Sequence, residues 1–236
     1  MSRNRDFAAC GIPAEPANHV IIIILADPAT IPEQTPLNDL DSILFNILPR
    51  WQDHRPAHGL PDDLARWLFD PGSLTRRLRQ CCPNQFRVRV LWQGWSRPSR
   101  DEARVLRLRL DALAWTREVR LLCGDQAWVF ARTLIPAATL RGRGRRLTRL
   151  GSRPLGEVLF TDPNVRRGPM EIARIVAGQR LHQRAFAGLA EPPEAIWGRR
   201  SLFRMEGRPL LVCEIFLPDL PALSPFTHRI SFHHEH

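Results

Sequence analysis

Residues 113–135 read LAWTREVRLLCGDQAWVFARTLI, and this stretch decides the fold class. Apolar and polar side chains alternate through Leu113–Leu122 and again through Ala127–Ile135, which is the pattern of strands with one packed face. Gly124-Asp125 lies between them and predicts a tight hairpin turn. The stretch therefore predicts two antiparallel strands that follow each other directly along the chain.

The flanking sequence predicts more strands and several short helices. Alternation from Phe86 to Trp92 and the apolar segment Pro209–Leu217 indicate two further strands. Ser73 is a favourable N-cap, and Ser96–Arg104 is interpreted as a loop. The predicted helices are Leu40–Leu48, Asp62–Phe69, Leu74–Gln80, Leu155–Phe160 and Gly178–Leu189. Strands in hairpins with helices grouped apart are typical of an antiparallel α+β domain.

The chain divides into a domain and two appendages. Residues 1–40 are rich in Pro and Ala without a sustained period, which indicates an extension compatible with partial disorder; residues 41–225 form the domain. Residues 226–236 form a tail whose histidines we interpret as a mobile terminus and not as a metal site. The longest apolar run, Val20–Ala26, is too short to span a bilayer and lacks a preceding basic cluster, so we expect a cytoplasmic protein.

The cysteines predict reduced, packed thiols. There are five, an odd number, and none forms a C-x-x-C pair. Cys81 and Cys82 are adjacent, a spacing that suits neither zinc ligation nor an ordinary disulfide.

All 34 basic residues are arginine, and the formal net charge is +10. The absence of lysine and tyrosine from the sequence excludes a Schiff-base lysine, a P-loop lysine and a tyrosine acid. The charge favours an anionic partner: a small carboxylate, a phosphate or nucleic acid. We interpret the arginine-rich run Arg141–Arg149 as a solvated face. Since no nucleic-acid-binding module accompanies it, we expect no nucleic-acid partner, whereas an anionic membrane surface stays open.

Three charged residues share strand faces with apolar side chains: Arg117, Arg132 and Glu214. Burying an ionised group alone costs several kcal/mol, so such groups are normally paired or used. One interpretation is a buried ion pair that only stabilises the fold. The other is an anion site walled by Trp and Phe, with arginine as the carboxylate clamp. The alternation alone leaves these two interpretations equal.

Several short motifs along the chain are similar to those of the chorismate–pyruvate lyase family. In family order they are Trp67-Leu68, Ser73-Leu74-Thr75, Trp115-Thr116-Arg117-Glu118-Val119, Ala131-Arg132-Thr133-Leu134-Ile135-Pro136, Leu150-Gly151, Pro154-Leu155-Gly156, Leu159-Phe160-Thr161, Glu171-Ile172, Trp197-Gly198-Arg199-Arg200-Ser201, Pro209-Leu210-Leu211 and Glu214-Ile215-Phe216-Leu217-Pro218. Each motif is short, but their number and order make the resemblance specific over about residues 60–221.

The resemblance implies a single antiparallel sheet of about six strands with helices packed on it and an enclosed ligand. It implies that Arg117 binds the ligand carboxylate and that Glu214 contacts the ring-hydroxyl end. Backbone groups at Leu155 and at Leu74, where the family has methionine, complete the implied site. We add Arg132 as a candidate for a second carboxylate or for the leaving group. Glu214 and Arg117 are the implied catalytic pair.

The implied activity is conversion of chorismate to 4-hydroxybenzoate and pyruvate, the first committed step of ubiquinone biosynthesis. No metal or organic cofactor is required. We expect a monomer, and contact with a membrane surface or a downstream prenyltransferase stays open. The sequence departs from the family in residues 1–40 and in a longer stretch around 178–190. Arg199-Arg200 either pair with acidic groups or line the site entrance.

A second hypothesis comes from another class of protein. The same fold serves as a ligand-sensing (UTRA-like) domain of transcription regulators, which would bind 4-hydroxybenzoate or a small carboxylate without catalysis. Such regulators carry an N-terminal winged helix of about 65 residues. The first 60 residues here lack a convincing helix-turn-helix, which favours the lyase.

Overall fold

The computed structural model describes residues 48–53 and 60–221. The predicted N-terminal extension, the C-terminal tail and all but the last residue of the predicted helix Leu40–Leu48 lie outside these ranges. Within them, no helix combines the length and the apolar character that a membrane span requires.

A single antiparallel sheet organises the domain, as predicted. Its strands are β1 Gln52–Asp53, β2 Phe86–Ser96, β3 Ala114–Cys123, β4 Gln126–Pro136, β5 Val165–Val176, β6 Ala195–Met205 and β7 Arg208–Phe216. The spatial order is β1-β5-β6-β7-β4-β3-β2, and every neighbouring pair is antiparallel. The α+β class is therefore confirmed, with seven described strands where about six were expected.

Short helices cover both faces of this sheet. They are α1 Asp62–Leu68, α2 Leu74–Cys81, α3 Arg100–Leu106, α4 Leu155–Thr161 and α5 Arg180–Phe186, with a 3-10 helix at Gly142–Arg149. We call the sheet face that carries Arg117, Ala131 and Glu214 the front face, and the face that carries Glu118, Arg132 and Cys213 the back face. Apolar clusters join α1, α2 and α4 to the front face. Other clusters join α3 and α5 to the back face.

Local sequence signals explain where several elements begin. The Ser73 hydroxyl accepts a hydrogen bond from the Arg76 amide at 3.4 Å and caps α2. Gly124 adopts a φ of 57°, which the tight turn between β3 and β4 requires and which glycine tolerates best. The predicted loop Ser96–Arg104 is wrong in its second half, because Ser99 and Glu102 form a capping box that begins α3.

The prediction of reduced thiols is wrong for two cysteines. Cys82 and Cys123 form a disulfide with a Cα–Cα distance of 5.8 Å, which ties the end of α2 to the end of β3. The adjacency of Cys81 and Cys82 excludes only a simple bond between those two. Folding brings Cys82 to a partner 41 residues away. Cys81 and Cys213 have free thiols.

Candidate active site

A cavity lies between the front face of the sheet and the helices α2 and α4. Its empty volume is about 560 Å³, including space open to solvent. Strands β3, β4, β6 and β7 form its floor, and the N-terminal residues of α2 and α4 form its wall. Four of the five residues predicted for the site line this cavity: Leu74, Arg117, Leu155 and Glu214.

Arg117 presents a buried guanidinium that has no acidic partner among the described residues. Only 2% of the residue is exposed. One terminal nitrogen donates to the carbonyl oxygens of Gly151, at 2.6 Å, and Arg153, at 3.2 Å. Its Nε is buried without a hydrogen-bond partner in the described part of the chain. Burial lowers the pKa of Arg117, yet a guanidinium keeps its proton in proteins, so the cavity contains an uncompensated cation.

Glu214 is oriented by an arginine from the neighbouring strand. The register pairs Glu214 with Ala131 on one side and with Arg199 on the other, so all three lie on the front face. Arg199 Nε donates to Glu214 Oε2 at 2.6 Å. Another Arg199 nitrogen donates to the carbonyl oxygens of Trp67, at 2.8 Å, and Asp70, at 2.9 Å. Arg199 therefore holds the Glu214 carboxylate and the C-terminal end of α1 at the same time.

Leu74 and Leu155 occupy equivalent places in two helices. Each is the first residue of its helix, α2 or α4, and each is buried at the cavity wall. The two helices approach closely: a Cβ placed on Gly156 would lie 2.8 Å from Thr75 Oγ1, closer than side chains pack. Glycine at 156 is therefore needed for the contact that closes the wall of the cavity.

Arg132 does not line the cavity, which corrects its assignment to the same anion site as Arg117. Alternation within β3 and β4 places each arginine beside apolar residues but does not say which sheet face those residues take. The register pairs Arg117 with Thr133 and pairs Arg132 with Glu118, so the two arginines lie on opposite faces. Arg132 Nε donates to Glu102 Oε1 at 2.7 Å, and a terminal nitrogen donates to Glu118 Oε1 at 2.6 Å.

The back face therefore carries a buried ion-pair network. The register places five residues side by side across five strands: Glu118, Arg132, Cys213, Arg200 and Glu171. Glu102 and Asp101 from α3 and Arg184 from α5 complete the network. Burial raises the pKa of Glu102, but hydrogen bonds and charge from Arg132 lower it by more. Arg132 is therefore part of a buried ion pair that stabilises the fold, which was the first of the two interpretations of the charged strand residues.

Sequence reasoning missed one charged residue of the cavity, Arg167, and left the place of another, Arg199, undecided. Arg199 stands in a strand that was not predicted, and its motif left open a choice between pairing with an acid and lining the site. It does both. Arg167 lies in β5, also not predicted, and charged residues interrupt the alternation there. The pairing of Arg167 with Phe203 shows which face of the sheet Arg167 takes, but this pairing is known only from the folded sheet.

The cavity carries a net positive charge. Among its lining residues the charged groups are Arg117, Arg167, Arg199 and Glu214, which amount to a net charge of +2. The remaining lining is mostly aliphatic and aromatic, with a low dielectric that strengthens attraction for anions. The fold and the site thus define an α+β protein with an enclosed cavity suited to a small organic anion.

Sequence comparison identifies the family. A sequence model described as chorismate lyase matches residues 46–223, and the chain belongs to the chorismate lyase family. It is similar to a probable chorismate pyruvate-lyase of Methylococcus capsulatus, with 49% identity over 158 residues that cover 66% of this chain and 94% of the relative. The corresponding protein of Azoarcus sp. is 47% identical over 173 residues, which cover 72% of this chain and 91% of the relative.

The chain is also similar, at lower identity, to a solved structure. The ligand-binding domain of a putative GntR-family transcriptional regulator from Bordetella bronchiseptica has a TM-score of 0.43 and 20% identity, covering 58% of this chain and 86% of that chain.

Proposed function

We propose that this protein is a lyase that converts chorismate to 4-hydroxybenzoate and pyruvate. Family membership supports the reaction class. The observation that carries the proposal is the enclosed cavity with a net charge of +2. Chorismate has two carboxylates, so its binding would balance that charge while its ring contacts the apolar lining.

Arg117 is the proposed clamp for the ring carboxylate. A guanidinium fits a carboxylate through hydrogen bonds in a fixed plane, and one terminal nitrogen of Arg117 makes no hydrogen bond within the described residues. Its bonds to the carbonyl oxygens of Gly151 and Arg153 hold the side chain in place before ligand arrives. A preoriented cation loses little entropy on binding, which favours affinity.

Glu214 is the proposed residue at the ring-hydroxyl end. Its Oε2 is held by Arg199, and Oε1 makes no hydrogen bond within the described residues, so Oε1 is the oxygen that we assign to the ligand. In the reaction the ether bond between the ring and the enolpyruvyl oxygen breaks, the ring loses the hydrogen from the carbon that bears the hydroxyl, and aromatisation drives the change. That hydrogen passes either to the enolpyruvyl methylene within the substrate or through Glu214. In both routes Glu214 orients the hydroxyl, and the cavity holds the substrate in its reactive conformation.

The decisive experiment supplies chorismate to the purified protein and follows pyruvate and 4-hydroxybenzoate together. We expect both products in equal amounts. Binding of 4-hydroxybenzoate without release of pyruvate would instead identify a ligand-binding protein of the sensing type.

Several features stay predictions: the role in ubiquinone biosynthesis, the cytoplasmic location, the monomeric state and the division into extension, domain and tail. The disulfide between Cys82 and Cys123 counts against the cytoplasmic location, because disulfides are more typical of oxidising compartments.

A further inference from the structure

Arg167 is a second cation of the cavity, and its hydrogen bonds go to neutral groups. It lies in β5 where the pairing with β6 is irregular, and its side chain reaches the cavity. Its Nε donates to Ser201 Oγ at 2.9 Å, and one terminal nitrogen donates to the Pro71 carbonyl oxygen at 3.1 Å. The other terminal nitrogen contacts Met170 Sδ at 3.2 Å. No carboxylate of the described chain forms an ion pair with it.

The surroundings of Arg167 favour an added negative charge. Burial lowers the pKa of Arg167, and the nearby positive charge of Arg199 lowers it further, while Glu214 and Asp70 raise it by less. A cation in this setting is destabilised relative to water, and a bound anion would remove that cost. The Glu214 carboxylate already pairs with Arg199, and Asp70 already pairs with Arg77, so neither forms an ion pair with Arg167.

Two aromatic rings keep the Arg167 guanidinium in place. Its central carbon lies 5.5 Å from the centre of the Phe203 ring and 5.9 Å from that of Phe160. Such contacts fix the plane of a guanidinium and leave its edge available for a carboxylate. Phe160 is 38% exposed, so this part of the cavity lining reaches the protein surface.

We propose, on the basis of the proposed function, that Arg167 binds the enolpyruvyl carboxylate and so distinguishes the dianionic substrate from the monoanionic aromatic product. Arg199 is neutralised by Glu214, which leaves Arg117 and Arg167 as the two unmatched cations of the lining. Chorismate has one carboxylate for each. The product 4-hydroxybenzoate keeps only the ring carboxylate, and the other departs with pyruvate. Arg167 takes the place that the sequence assigned to Arg132.

The test is Arg167→Gln, which removes the charge but keeps a side chain able to donate to Ser201. We expect kcat/KM for chorismate to fall by about 100-fold, the scale of a lost charge-assisted pair, while the Kd of 4-hydroxybenzoate changes less than about 3-fold. Arg166→Gln is the matched control: it is the adjacent residue, it is exposed and it makes the same change of charge. It should alter neither value.

The outcomes separate the two proposals. Turnover of chorismate by Arg167→Gln within about 3-fold of the wild type would overturn the role of Arg167, and so would an equal loss of substrate and product affinity. Thermal melting of both variants establishes that they fold. If the wild-type protein releases no pyruvate, the proposed function fails instead. Calorimetric binding of chorismate against 4-hydroxybenzoate then still tests Arg167, because the inference predicts that only chorismate loses affinity.

Discussion

Replacing Arg117 by alanine tests the centre of the proposed site. The substitution removes a guanidinium that is 98% buried and makes its described hydrogen bonds only to two carbonyl oxygens, those of Gly151 and Arg153. Hydrogen bonds that involve charged groups contribute about 1.5–3 kcal/mol each. Loss of a two-bond contact with the ligand carboxylate should therefore cost about 3–6 kcal/mol, which is an increase of at least about 100-fold in the Kd of 4-hydroxybenzoate. Calorimetry measures this directly.

Arg120 offers a close control within the same strand. It is also buried, its terminal nitrogen donates to the carbonyl oxygens of Ala185 and Ala187, and its Nε also lacks a partner among the described atoms. It differs in lying on the back face, away from the cavity. Arg120→Ala should lower the melting temperature but leave the Kd of 4-hydroxybenzoate within about 3-fold, because no ligand contact is lost. Unchanged affinity in a folded Arg117→Ala protein would refute the clamp, as would equal losses in both variants.

Three further variants test other parts of the structure. Glu214→Ala should abolish release of pyruvate while the fold is retained in circular dichroism, and wild-type-like production of 4-hydroxybenzoate would remove Glu214 from the chemistry. Arg132→Ala should destabilise the protein by about 3–5 kcal/mol in denaturant unfolding, because it leaves the buried Glu102 carboxylate without its arginine and removes one of the two arginines that pair with Glu118; a loss under about 1 kcal/mol would contradict this. The pKa of Glu102 is lower in the folded protein than its ordinary 4.5. The stability that Glu102 contributes is therefore complete above pH 4.5 and declines as the pH falls through the lower pKa of the folded protein. In Arg132→Ala, acid unfolding curves should lack this decline. Gly156→Ala should weaken 4-hydroxybenzoate binding by separating α2 from α4, and the added change Thr75→Ala should restore part of the affinity if the clash with Thr75 Oγ1 is the cause.

Alternation along the strands predicted the central sheet and two of its important charges. Arg117 and Glu214 lie in strands in which apolar and polar residues alternate, and the structure buries Arg117 and half-buries Glu214. Alternation failed for Arg132, because a strand has two faces and both are buried here. Which face an arginine takes depends on its cross-strand partner, and that partner is set by the pairing of the whole sheet.

The missed features share a dependence on contacts between distant parts of the chain. Arg199 acts through Glu214 and through carbonyl oxygens of α1, more than 120 residues earlier in the sequence. Cys82 lies beside Cys123 because β2, which follows Cys82, pairs with β3 in the sheet. By contrast, the capping box at Ser99 and Glu102 is local and could have been recognised from its spacing.

The two charged faces of the sheet have a consequence for the accuracy of strand pairing. On β3, the cavity residue Arg117 is followed directly by the network residue Glu118, and on β7 the network residue Cys213 directly precedes Glu214. A slip of one residue in β3 would therefore turn the Glu118 carboxylate into the cavity and remove it from Arg132, which would keep only Glu102. The ion pairs on the back face thus favour the strand register that places the correct charges in the cavity on the front face. A misaligned chain loses ligand affinity and stability together, so the fold can tolerate insertions in its loops far more readily than within these strands.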